Sequence, residues 1–259
     1  MTFLAEGAPL VAGGKEVAQR SEPEQLRCYN LREVFEVRRS PGCLEGTMAE
    51  DEKRGKRPLI TVTRGGPYRV TNLKCLRDSA GNDLPVKPVV LLCRCGASKN
   101  KPYCDGSHSR IGFVGERDHD RVCGQVNEYV GKDITIVDNT DVCCRDRSCI
   151  NDLPQVFETC DPDAASSDEI MKTIRKCPSG ALTYKIGGEH CRDFGHEPAI
   201  TVSRNGPLKV VGGIELRDDM NSKPACPEHY TLCRCGGSKN KPFCDGSHLD
   251  NGFKDDSPD

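Results

Sequence analysis

Tryptophan is absent from this chain of 259 residues, and aromatic residues make up only 5% of it. The large side chains that fill a conventional core are therefore scarce. Small units tied together by bound metal make up such a shortfall. Net charge is also nearly absent, at −2, so there is no electrostatic footprint for nucleic acid or an anionic membrane. No apolar run approaches the length of a membrane span. The start, "MTFLAEGAPLVAGGKEVAQRSEPEQ", lacks a basic leader, and Glu6 interrupts its short apolar run. It reads neither as a secretory signal nor as an Arg-rich transit peptide.

Cysteine is what the chain has in excess, with 17 residues. A secreted disulfide scaffold and an intracellular metal or redox protein both explain such a count. The odd number, the lack of a signal and the clustering with His, Gly and Pro favour a cytoplasmic metalloprotein. Sixteen residues occur twice: "CRCGASKNKPYCDGSH" from Cys93 and "CRCGGSKNKPFCDGSH" from Cys233. The offset of 140 extends upstream without a gap, from Pro58 on Pro198 through Gly66-Pro67 on Gly206-Pro207 to Leu76-Arg77-Asp78 on Leu216-Arg217-Asp218. This is a duplicated unit. In each copy "ITVTRGGPYRV" or "ITVSRNGPLKV" predicts a hairpin around Gly-Pro, and "VVLLC" or "HYTLC" a strand leading into the cysteines.

Within the motif, Cys93 and Cys95 flank one residue. Cys104 and His108 stand four apart, on one face of a helical turn entered through Asp105-Gly106-Ser107. Two ligands plus two suit a binuclear [2Fe–2S] centre, one pair per iron. A Cys3His zinc site needs the same four ligands, although structural zinc favours C-x2-C knuckles. The pattern C-x-C-x2-S-x3-P-x-C-D-G-S-H resembles the CDGSH iron–sulfur domain of the NEET family. The resemblance implies a [2Fe–2S] cluster in each copy. Cys93 and Cys95 would hold one iron and Cys104 and His108 the other; Cys233, Cys235, Cys244 and His248 repeat the set. Imidazole in place of thiolate reduces the cluster's negative charge and raises its potential. Imidazole also takes up a proton, so the ligated histidine is the bond that acid breaks.

Between the copies lies different material. "DITIVD" and "ALTYKI" predict strands. Between them Ser166-Ser167-Asp168-Glu169 offers a capping box for a helix carrying Ile170, Met171 and Ile174. Cys143-x5-Cys149 and a later Cys177-Pro178 follow ferredoxin order, in which Cys-Pro closes the ligand set. This stretch, above all "CPSGAL", resembles the divergent single-cluster [4Fe–4S] ferredoxin domain. The fourth ligand is open. Asp146 stands where a ferredoxin places its central cysteine and is the favoured candidate. Cys144, Cys160 or a three-ligand [3Fe–4S] cluster are the alternatives. The remaining cysteines, Cys28, Cys43, Cys75, Cys123, Cys144, Cys160, Cys191 and Cys226, read mostly as free thiols. His119, His190, His196 and His229 sit in polar segments and read as surface residues.

The expected fold is α+β. Two β-rich NEET-type CDGSH repeats form an intramolecular pseudo-dimer, with a small α+β ferredoxin-like domain inserted. The expected divisions are a 1–56 extension and linker, in which "LREVFEVRR" suits a helix, then CDGSH domain 1 at 57–118, the ferredoxin-like domain at 119–190 and CDGSH domain 2 at 191–259. No nucleotide-binding motif or catalytic constellation is present, so an enzyme is not expected. The expected protein is a cytoplasmic monomer carrying two [2Fe–2S] clusters and one [4Fe–4S] or [3Fe–4S] cluster. It would act in single-electron transfer with a redox partner protein. The alternatives are donation of clusters or iron to an apo iron–sulfur acceptor, storage, and redox or pH sensing. Neither nucleic acid nor membrane is an expected partner.

Overall fold

The computed structural model describes residues 57–121 and 123–255. The "LREVFEVRR" segment, Cys28 and Cys43 lie outside the described residues, as does most of the charged linker before Arg57.

Copy 1 begins with β1 (Leu59–Val62) and β2 (Tyr68–Thr71), antiparallel from Leu59↔Thr71 to Val62↔Tyr68. The hairpin falls where the Gly-Pro turn predicts it. Alternation buries Ile60, Val62, Tyr68 and Val70 on one face. β3 (Leu76–Arg77) follows, then β4 (Val89–Leu92), which pairs with β2, and the helical turn α1 (Ser107–Arg110).

The middle unit forms β5 (Val126–Val130), β6 (Thr135–Asn139), α2 (Ser148–Asp152), α3 (Pro154–Phe157), α4 (Ser167–Ile174), β7 (Leu182–Ile186) and β8 (Glu189–Cys191). α4 starts at the predicted capping box. Glu169 N donates to Ser166 Oγ at 3.4 Å, and Ser166 N donates to Glu169 Oε2 at 3.1 Å. Ile170 and Ile174, one turn apart, are fully buried against the sheet. The four strands run in the order β5-β6-β7-β8. The sequence pattern had indicated only β6 and β7. β5, "VNEYV", is half-exposed to fully exposed along its whole length and carries no apolar stripe. β8 is short and polar, and it exists because Gly187 and Gly188, both at positive φ, fold it back on β7 through a two-residue turn.

Copy 2 repeats copy 1: β9 (Ala199–Val202), β10 (Leu208–Val211), β11 (Glu215–Arg217), β12 (Tyr230–Leu232) and α5 (Ser247–Asp250). The copies interlock. β3 leaves copy 1 and pairs in parallel with β9 of copy 2, Leu76 opposite Ile200. β11 leaves copy 2 and pairs in parallel with β1, Ile60 opposite Leu216. The two sheets are therefore β11-β1-β2-β4 and β12-β10-β9-β3. Each copy covers an otherwise open edge of the other. One apolar core results, with Ile60, Val70 and Leu92 of copy 1 beside Ile200, Leu208 and Leu232 of copy 2. All six are fully buried, each contributing about 1.5–3 kcal/mol of transfer free energy. A tryptophan-free chain gains by this a core that neither sixty-residue copy holds alone.

The structure is thus mixed α+β, rich in strands, with three four-stranded sheets. Among the described residues no helix is long and apolar enough to cross a membrane. One expectation is corrected: His229 is buried rather than on the surface, because the segment preceding β12 is covered by Phe194, whose ring stacks on the imidazole at 5.0 Å.

Candidate metal centres

In copy 1, β4 delivers Cys93, and a tight loop returns Cys95 beside it, Sγ to Sγ 3.9 Å. The α1 turn sets His108 Nδ1 3.3 Å from Cys104 Sγ. Copy 2 repeats both pairs, at 3.8 Å for Cys233 and Cys235 and 3.5 Å for Cys244 and His248. Two thiolates on one tetrahedral metal stand ~3.8 Å apart, and a thiolate and an imidazole ~3.5 Å apart, given metal–ligand bonds of about 2.3 and 2.0–2.1 Å. The donor pairs therefore fit one tetrahedral metal each, which suits the two irons of a binuclear cluster.

The rest of the motif holds these pairs in place. Asp105 accepts from Lys99 N and Ser107 N, both at 2.9 Å, and these amides hold its carboxyl well below the usual range. Asp245 does the same with Lys239 N and Ser247 N. Ser98 and Ser238 donate to the carbonyls of Tyr103 and Phe243, each at 2.7 Å. The C-x-C loops meet across the approximate two-fold, where the backbones of Cys95 and Cys235 pair antiparallel. A Cβ on Gly96 would lie 2.6 Å from Cys235 O, and one on Gly236 2.5 Å from Cys95 O, both at positive φ. Only glycine allows that approach. Tyr68 also crosses between copies, donating to the carbonyls of Cys233 at 2.8 Å and Pro242 at 2.9 Å.

Electrostatics favour a metal here. Burial, with Cys93 and Cys104 close by, pushes the Cys95 thiol up. Its hydrogen bond with Cys235, then burial, raises Cys233, while the same bond holds Cys235 down at about 6. Metal ions that replace the thiol protons remove this mutual repulsion.

In the middle unit a cavity of about 160 Å³ is lined by Cys143, Cys149, Cys177 and Asp146, with Cys144, Asp138 and apolar walls from Ile150, Phe157 and Leu182. The ferredoxin-order residues are thus brought to one place. Burial, reinforced by Cys177, pushes Cys149 up to about 11 and Cys144 up to about 12. The fourth-ligand candidates separate. Cys160 is exposed and does not line the cavity. Asp146 lines it, but its carboxylate is 3.2 Å from Lys209 Nζ of copy 2. Cys144 is 3% exposed.

Arg145, flanked by Cys144 and Asp146, has no ligand chemistry of its own and gains its role through packing. Its guanidinium turns away toward copy 2, donating to Gly246 O at 2.6 Å and pairing with Asp250. Asn240 Nδ2 donates to Asp141 O at 2.9 Å across the same seam. The signal missed was a basic residue in a cluster loop whose partners lie 101 and 105 residues downstream.

Folded this way, the chain is an iron–sulfur protein assembled from three small metal-binding units. Residues 65–109 and 205–249 match the family described as iron-binding zinc finger CDGSH type. Residues 129–186 match the divergent 4Fe-4S mono-cluster family. It is a chain of two CDGSH domains flanking a divergent 4Fe–4S mono-cluster domain. No curated protein matches it.

Proposed function

We propose that the chain is a non-enzymatic carrier of single electrons, with its two interlocked CDGSH copies acting as an intramolecular pseudo-dimer around the inserted ferredoxin-like unit. When bound, the clusters supply one-electron redox chemistry. The ligands are Cys93, Cys95, Cys104 and His108; Cys233, Cys235, Cys244 and His248; and Cys143, Cys149 and Cys177. We assign the fourth middle position to Cys144, because Asp146 is already paired with Lys209.

The observation that carries the reading is the seam between the middle unit and copy 2. Cys144 lies near enough to Cys244 that, after burial, it is the next largest influence raising that thiol. Arg145 reaches the turn before His248. These residues bring two ligand sets together, with Cys144, Cys244 and His248 buried. Copy 1 keeps Cys104 and His108 partly exposed and offers the face for an external redox partner. That same exposure favours a second reading, in which copy 1 hands its cluster to an apo-protein.

Anaerobic protein taken through repeated reduction and reoxidation, then mixed with apo-ferredoxin, separates the two. Electron transfer predicts retained iron and reversible spectra. Transfer of copy 1's iron and sulfide to the acceptor establishes the second reading.

A further inference from the structure

A second kind of metal-binding chemistry lies outside the three cluster sites. The segment before β12 brings together Cys226, Glu228 and His229, which are 0, 7 and 2% exposed. Cys226 Sγ is 3.3 Å from His229 Nδ1, and that nitrogen is 2.7 Å from Glu228 Oε2. The other carboxylate oxygen is 2.8 Å from Nδ1 of His196, on the segment joining β8 to β9. One ligand atom from each of Cys226, Glu228 and His229 lies within 4.8 Å of the others. Tetrahedral ligand atoms of these kinds stand ~3.3–3.6 Å apart on zinc; Cys226 and His229 are already at that spacing, the His229–Glu228 pair must open by roughly 0.6 Å, and His196, on the other carboxylate oxygen, must turn in as the fourth ligand.

One buried nitrogen is the meeting point of the donor set. His229 Nδ1 faces both a carboxylate and a sulfur but carries at most one hydrogen. His229 Nε2, the ring nitrogen outside this set, is buried with no hydrogen-bond partner and stays so whether or not Nδ1 binds a metal. Cys226 Sγ also has Arg192 O at 3.1 Å, and Glu228 Oε1 accepts from Gly212 N and His196 N at 3.3 Å. A divalent ion bound by one thiolate, one carboxylate and two neutral imidazoles is charge-balanced, and the mixture of S, N and O donors suits zinc. The internal repeat supplies a control. At the offset of 140, Cys226, Glu228 and His229 correspond to Val86, Pro88 and Val89 of copy 1, none of which binds metal. The three donors are therefore extra to what the CDGSH unit requires.

Location suggests what the donors do. A Cβ on Gly180, just after Cys177-Pro178-Ser179, would lie 2.4 Å from Cys226 Cβ and 2.9 Å from His229 O. Phe194 stacks on His229 and also on Tyr184 of β7, with ring centroids 6.3 Å apart. We propose that Cys226, Glu228, His229 and His196 form a mononuclear structural zinc site. It pins copy 2 against the Cys-Pro turn of the middle unit. Binding displaces the Cys226 thiol proton to solvent, and no electron moves.

The test is metal analysis of the whole chain, purified anaerobically from zinc-supplemented cells. One zinc per chain is expected beside the iron, with a zinc-edge EXAFS shell of one sulfur and three nitrogen or oxygen atoms. Cys226→Ser and His229→Gln should each remove that zinc while iron and sulfide stay at wild-type levels. His196→Asn, at the exposed edge of the site, should weaken zinc binding at least about tenfold and serves if the buried variants fail to fold. The proposal is overturned if folded wild-type protein carries no zinc. It is equally overturned if zinc persists undiminished in His196→Asn, or if the shell holds three or four sulfurs and so places zinc in a cluster site.

Discussion

The two CDGSH copies share a motif, a fold and a ligand geometry, yet they sit in different surroundings. In copy 1, Gly106 faces open space, Asn100 is exposed, and Cys104 and His108 are partly exposed. In copy 2, Arg145 covers Gly246, Asn240 is buried against Asp141, and Cys244 and His248 are buried. The inserted unit causes the difference, because the side-chain contacts of its cluster loop among the described residues reach copy 2. Duplication supplies two equal sites, and the insertion makes them unequal. We expect copy 1's cluster to be the accessible one and copy 2's to be sheltered.

The largest effect should come where the copies agree. Gly96→Ala and Gly236→Ala each force a Cβ against a backbone carbonyl of the other copy at a strained φ. Each should destabilise the chain by about 3 kcal/mol or more and deplete both CDGSH clusters, as seen in denaturant unfolding and visible absorbance. Loss confined to one copy would show that the interlocking of the copies does not govern the sites.

Next comes the difference itself. Chelator should strip copy 1 at least about tenfold faster than copy 2 in the wild type. Arg145→Ala should bring the two rates within about twofold, since it removes a half-exposed charge-assisted contact of about 1 kcal/mol. Unequal rates that survive in Arg145→Ala would place the shelter elsewhere.

His108→Cys and His248→Cys address the bond acid breaks. As pH falls, a proton competes with metal for the imidazole nitrogen, so cluster loss accelerates. The cysteine variants should retain the altered cluster at acidities that empty the wild type, and its potential should drop. The gain should be greater for His108, which water reaches. Unchanged acid loss and potential in both variants would remove the histidine from the account.

The smallest effect should follow Asp141→Asn at the seam. Burial pushes this carboxyl up, but the paired bonds from Arg121 and the amide of Gly124 outweigh it and hold it down. A depressed carboxylate stabilises the fold above its unfolded value and loses that contribution as pH falls through the folded value. The variant should lose about 1 kcal/mol at neutral pH, the pair being partly exposed. The gap should close below about pH 4. A gap that widens in acid would contradict the assignment.

Much of this was legible in the chain itself, for definite reasons. The repeat, its hairpins and its ligand pairs depend on residues within sixteen positions of one another, where spacing determines geometry. The capped helix at Ser166 is equally local. What escaped depends on distant partners. β5 is a strand because β6 pairs with it, not because of its own pattern. β3 and β11 are two and three residues long, and their place in the opposite copy's sheet follows from an edge the sequence does not reveal. His229 read as a surface histidine, and its burial under Phe194 is not visible in its polar neighbours; Arg145 finds its partners only where the middle unit packs on copy 2. Asp146 was favoured by ferredoxin spacing; its ion pair with Lys209 is a contact 63 residues away that spacing does not show, and our proposal of Cys144 as fourth ligand rests on it.

The central claim is that three iron–sulfur sites occupy one chain. Iron and sulfide counts with Mössbauer spectra on anaerobically purified protein test it directly. The account predicts about eight iron and eight sulfide per chain, half in histidine-ligated [2Fe–2S] centres and half in a [4Fe–4S] centre. Zinc in place of iron at the CDGSH ligands, or no iron beyond the two binuclear centres, would contradict it.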